Sequence, residues 1–163
     1  MPSIFLLLLL IILVILSGFL SGSETAITAT SKARILYKKK KGSKRAQYVL
    51  ELLDKKDNVI STLLLSNNLV NILASSLATA FFYDIFGVEG IFYATLIMTV
   101  VIVIFAEVLP KTYAINRPNR TALLISPIIY YLNKILFIFV FLINLIVRFI
   151  FRKNDNDIKN NDL

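Results

Sequence analysis

The chain has no cysteine and no histidine among its 163 residues. Those two absences remove disulfides, thiolate nucleophiles, imidazole bases and the usual zinc ligands together. Charge is sparse at 17% of residues, whereas 57% are hydrophobic, well above the roughly 45–50% apolar usage of ordinary soluble domains. Bilayer is the natural solvent for such a chain. Its apolar runs are too long for barrel strands, so backbone polar groups have to be satisfied within helices. The fold class predicted is an all-α integral membrane protein built as one compact unit.

The net charge is +8. Beside long apolar runs a basic excess reports topology under the positive-inside rule, and no nucleic-acid partner is expected. Met1-Pro2-Ser3 carries no positive charge ahead of the run from Ile4 to Leu16, so that run reads as a retained first span with its N-terminus outside. The run continues towards Thr30 through Ser17-Gly18 and Ser21-Gly22-Ser23, as one long or broken helix. Ten of the eighteen basic residues then fall between Lys32 and Lys56, which puts that loop in the cytoplasm. Gly42 and Ser43 split it, and Val49, Leu50, Leu52 and Leu53 give its second half a short amphipathic pattern, so two short helices against the membrane face are expected.

A second span is predicted from about Val59 to Phe82 and a third from about Gly90 to Val108, each near the ~20 residues that cross hydrocarbon. The outside loop between them, Tyr83 to Glu89, holds Asp84 and Glu89 and no Lys or Arg. Lys111, Arg117 and Arg120 return the chain to the cytoplasm. The apolar segment from Ser126 to Phe151 is long enough to cross, but crossing would export Arg152, Lys153 and Lys159. Ser126, Tyr130, Asn133, Lys134, Asn144, Arg148 and Arg152 fall within an arc of about 100°. A juxtamembrane belt helix is therefore preferred to a fourth span. Residues 1–152 form the membrane domain, and the polar tail 153–163 is expected to be disordered.

Polar side chains within a span are costly and mark an ion path, a helix contact or a subunit seam. On the first helix Ser17, Ser21, Glu24, Thr25 and Thr28 share one face within about 100°. On the second, Ser61, Asn67, Asn68, Asn71, Ser75 and Thr79 share an arc of about 120°. Singly, Ser75, Ser76, Thr79 and Thr95 read as helix contacts. Together, two oxygen-rich faces with Glu24 and Glu107 exceed what helix contacts require, and neutral oxygens plus carboxylates suit hard cations such as Mg²⁺ or Na⁺. Gly18 and Gly22 allow the first helix to loosen and present carbonyls. Pro110, three residues after Glu107, lacks an N–H and so frees the carbonyl of Ala106, although a helix stop is an equal reading. Lys111 reads as a topological anchor.

At these residues the sequence resembles the membrane domain of the CorC and cyclin M magnesium-transport family. The motifs are Leu20-Ser21-Gly22-Ser23-Glu24-Thr25-Ala26, Ser61 with Ser66-Asn67-Asn68-Leu69-Val70-Asn71, and Glu107-Val108-Leu109-Pro110-Lys111. The match covers about Phe5 to Phe151. The resemblance implies a homodimer of three-helix protomers with the N-terminus outside and the C-terminus cytoplasmic. It also implies Na⁺-coupled Mg²⁺ export from an inward-facing cavity. By motif position the metal role falls on Ser21, Ser61, Asn67, Asn71 and Glu107, with Gly22 and Pro110 shaping the backbone and Glu24 and Asn68 as weaker members. Family members usually continue into cytoplasmic nucleotide-binding CBS modules, which this chain lacks. Either it is part of a longer chain or it is a membrane-only member, and ATP regulation is not predicted.

Two other function classes compete. The domain can sense Mg²⁺ or regulate another transporter without conducting. An enzyme is not expected, because Glu24 and Glu107 stand without a recognisable nucleophile and base.

Overall fold

The computed structural model describes residues 2–136, and every regular element among them is helical. Helix α1 covers Pro2–Ala29, α2 Lys32–Lys40, α3 Lys44–Asp54, α4 Lys56–Phe86, α5 Glu89–Val101 and α6 Leu109–Asn116, with a π-helical segment Ile102–Val108 joining α5 to α6. A last helix, α7, starts at residue 118 and reaches the end of the described residues at 136. The expected belt beyond residue 136, with Asn144, Arg148 and Arg152, and the polar tail lie outside the described residues.

Three rods are long and apolar enough to cross a membrane: Ile4–Ala29, Lys56–Phe86 and Glu89–Asn116. At ~1.5 Å per residue each exceeds the ~30 Å hydrocarbon core. The first helix is continuous. Its interruption by small polar residues does not break it, because Ser23 donates to the Phe19 carbonyl at 2.6 Å and Thr25 to that of Ser21 at 3.3 Å. Such back-bonds satisfy hydroxyls inside a span without help from a neighbour. The helix ends where Ser31 turns extended (φ −83°, ψ 114°) and its N–H bonds the Asn119 side-chain oxygen at 3.1 Å. Lys56 donates to the Thr28 carbonyl at 3.1 Å, placing a cation at the negative end of the helix dipole.

The two short helices form a hairpin. Gly42 closes α2 at φ +85°, with its N–H on the Lys39 carbonyl at 2.9 Å and the Ser43 N–H on that of Lys38 at 3.2 Å. This paired arrangement is how a glycine commonly satisfies a helix C-terminus. Between α4 and α5, Gly87 (φ +64°) reverses the chain, and Gly90 lies so close to the Phe82 carbonyl that any side chain there would collide.

The third rod differs from expectation at Pro110. The sequence predicted a span ending near Val108, yet the rod runs on to Asn116. The π segment explains this: the Leu109 N–H bonds the Ile104 carbonyl, five residues back, and the wider turn accommodates the proline without breaking the helix. In that register the carbonyl facing the missing Pro110 N–H is that of Phe105, not Ala106.

The larger core lies where the hairpin and α7 meet the ends of the rods, and joins Ile27, Ile35, Val49, Leu52, Val59, Leu63, Ala122, Ile125 and Ile129. Here α7 is tied down by Thr62, whose hydroxyl bonds the Asn133 side-chain oxygen at 2.8 Å, and by Ser126, which donates to the Arg45 carbonyl at 3.3 Å. Tyr48 packs against Tyr130 with ring centres 5.1 Å apart and planes tilted by 52°, and neighbouring Tyr131 pushes the Tyr48 phenol above its ordinary pKa. A smaller core of Leu10, Ala74, Ala78 and Met98 joins the rods elsewhere. Along the spans Phe5, Ile15, Leu69, Ile72, Phe92 and Leu96 are exposed, as a lipid-facing surface requires.

Candidate cation site between the spans

Where α1 faces α4, Ser17 is fully buried. Its Oγ lies 2.7 Å from Asn67 Oδ1 and 2.6 Å from Asn71 Oδ1. Asn67 and Asn71 stand one turn apart on α4, so both side chains reach the same point on α1. A serine hydroxyl has one proton and cannot donate fully to two carbonyl oxygens. Either one amide turns its NH₂ towards Ser17, or the oxygens direct their lone pairs at a shared cation.

One turn further along α1, Ser21 Oγ is buried and has no hydrogen-bond partner, alone in this among the described residues. A buried hydroxyl left unpaired costs about 1–3 kcal/mol, which sets Ser21 apart from the hydroxyls of α1 that bond to carbonyls of their own helix.

The third rod closes this side of α1. A Cβ on Gly18 would lie 3.1 Å from the Phe105 carbonyl oxygen and 3.2 Å from Pro110 Cγ, and one on Gly22 would lie 3.3 Å from Pro110 Cβ and 3.3 Å from the Pro110 carbonyl oxygen. The glycines therefore let the π segment and Pro110 press against α1 beside Ser17 and Ser21. They do not loosen the helix, as the sequence suggested. The Phe105 carbonyl, lacking its proline donor, points at this seam.

Ser17, Asn67 and Asn71 thus meet where α1 faces α4, Gly22 and Pro110 meet where α1 faces the third rod, and Ser21 lies one turn along α1 from Ser17. Ser17 was legible only as one of five residues on a polar face; its spacing of four from Ser21 was the signal. Glu107 sits in the π segment, half-buried, and its carboxylate makes no hydrogen bond or ion pair within the described residues. Glu24 is half-buried one turn beyond Ser21. Ser61 is half-buried and about 9 Å before Asn67 along the helix axis, outside the hydrogen-bonded cluster, and Asn68 is exposed. Among the described residues no group of three or more His, Cys, Asp or Glu gathers as a metal site; the oxygens that gather here are the neutral ones of Ser17, Asn67 and Asn71.

Comparison with known proteins follows the same lines. Residues 8–163 match the family model described as the cyclin M transmembrane N-terminal domain. The chain is 40% identical over 137 residues to the UPF0053 inner membrane protein YfjD of Escherichia coli, covering 84% of this chain and 32% of that one. It is 35% identical over 147 residues to a UPF0053 protein of Haemophilus influenzae, covering 90% and 35%. A putative DUF21 domain-containing chloroplastic protein of Arabidopsis thaliana is 29% identical over 122 residues, 75% of this chain and 18% of its own length. The chain spans about a third of the length of the two bacterial relatives.

Proposed function

This chain belongs to the cyclin M transmembrane domain family, and we propose that it carries Mg²⁺ across the bilayer, exporting it against the re-entry of Na⁺. The observation that carries the reading is the oxygen set of buried Ser17 and Asn67 with half-buried Asn71, together with the unpartnered Ser21 hydroxyl on the helix that carries Ser17. Hydroxyl and amide oxygens match hard cations, and their lack of charge makes a site that both binds and releases.

Ser17, Ser21, Asn67 and Asn71 replace part of the water shell of Mg²⁺, the Phe105 carbonyl adds a further oxygen, and Glu107 offsets part of its charge. Gly22 and Pro110 keep the third rod close enough to close the site. The same oxygens accept Na⁺ once Mg²⁺ has left, which couples the two ions. Ser61, with Glu24, stands nearer the hairpin end and serves the approach from the cytoplasm. The protein works as a homodimer with its N-terminus outside and its C-terminus in the cytoplasm. Transport of this kind breaks no covalent bond.

Each net charge moved across 100 mV costs or yields about 2.3 kcal/mol, so the exchange ratio shows in the voltage dependence. Proteoliposomes holding a Mg²⁺ dye test the proposal. Expected is Mg²⁺ movement driven by a Na⁺ gradient and reduced at least tenfold in Asn71→Ala and Glu107→Ala. Flux absent with Mg²⁺ stabilisation intact turns the reading to Mg²⁺ sensing; undiminished flux in both variants removes the site.

A further inference from the structure

Lysines 38 to 41 close α2, and all four side chains are exposed, as are Arg34, Lys44 and Arg45. Among the described residues the basic run has one ion pair, Lys32 to Asp54 at 2.6 Å. The neighbouring Glu51 accepts a hydrogen bond from Gln47 at 3.2 Å. Consecutive lysines repel, and three in the last turn gain only partly from the helix dipole. A surface of this charge calls for an external anion.

Position decides which one. Only Thr30 and Ser31 separate α2 from the end of α1, and nine helical residues extend about 14 Å. Ile35 is fully buried in the larger core with Ile27 of α1 and Val59 and Leu63 of α4, so α2 is held up against the ends of the rods. Its outward side mixes the lysines with exposed Leu36 and Tyr37, 44% and 60% accessible, and Lys41 Nζ lies 4.7 Å from the Tyr37 ring centre. Apolar and tyrosine side chains among lysines at the end of a span match the boundary between acyl chains and headgroups.

We propose that α2 is a docking surface for anionic phospholipid headgroups of the surrounding bilayer, with Lys38 to Lys41 on the phosphates and Leu36 and Tyr37 at the acyl boundary. Each basic residue near an anionic surface adds about fivefold to binding, and salt weakens the effect within a Debye length.

The test uses the full chain in mixed micelles of phosphatidylglycerol and phosphatidylcholine, with the lipid retained per protein measured at low and high NaCl. Expected is selective retention of phosphatidylglycerol that falls with salt. The double variant K39Q/K40Q should lose on the order of tenfold of that selectivity. The pair K39R/K40R keeps the charge and should change it less than twofold. Glutamine is a good helix former, and unchanged helical circular dichroism with a single size-exclusion peak certifies each fold. Equal loss in both pairs, or none in K39Q/K40Q, overturns the proposal. So does complete displacement of the lipid by RNA at equal phosphate concentration, which would assign the surface to nucleic acid.

Discussion

Ser17 and Ser21 sit one turn apart on α1, equally buried, yet one hydroxyl has two partners and the other has none. Their alanine variants should therefore differ in sign. Ser17→Ala removes the donor that Asn67 and Asn71 share and should destabilise the metal-free protein by about 1 kcal/mol, near the value of such bonds between membrane helices. Ser21→Ala removes an unpaired hydroxyl and should be neutral or stabilising by up to about 1 kcal/mol, while shrinking the stabilisation that Mg²⁺ provides. Thermal unfolding in detergent, with and without Mg²⁺, measures both. The polar face itself was legible from residue spacing. Which hydroxyls are spent was not, because Ser23, Thr25 and Thr28 back-bond to carbonyls of their own helix, and nothing in their spacing separates them from Ser21.

At the scale of elements, the seam between α1 and the third rod depends on two glycines meeting a proline. Gly18→Ala should cost about 1–3 kcal/mol, the usual range for overpacking, since the Phe105 carbonyl it would press on at 3.1 Å is backbone and cannot rotate away. Gly22→Ala, with its nearest atoms at 3.3 Å, should cost less. Gly42→Ala meets nothing but must adopt φ +85°; it should destabilise by about 1 kcal/mol and leave ion flux unchanged, which separates backbone strain from the seam in the same melting and flux assays. The hairpin, its break at Gly42 and the three rods were readable in the sequence because charge, apolar length and glycine act locally; the reversal at Gly87 was not singled out. The continuity of α1 and the passage of the third rod through Pro110 were not: each depends on hydrogen bonds, back-bonded hydroxyls in one case and a π register in the other, that leave the residue pattern unchanged.

The whole molecule is a multi-pass membrane protein whose larger core sits at one end of its spans while large apolar side chains along them face outward. That distribution explains why burial alone does not mark the site: along spans solvated by lipid, an exposed leucine is ordinary and a buried serine is the exception. Ser17, Ser21 and Asn67 are buried polar groups of α1 and α4, and Ser17 with Asn67 and Asn71 forms the polar junction between those two rods. Direct titration of Mg²⁺ into the purified chain, followed by calorimetry, tests that junction. Wild type should bind saturably, and Asn71→Ala should weaken binding at least tenfold while keeping its helical content; equal affinity in the two would contradict the account.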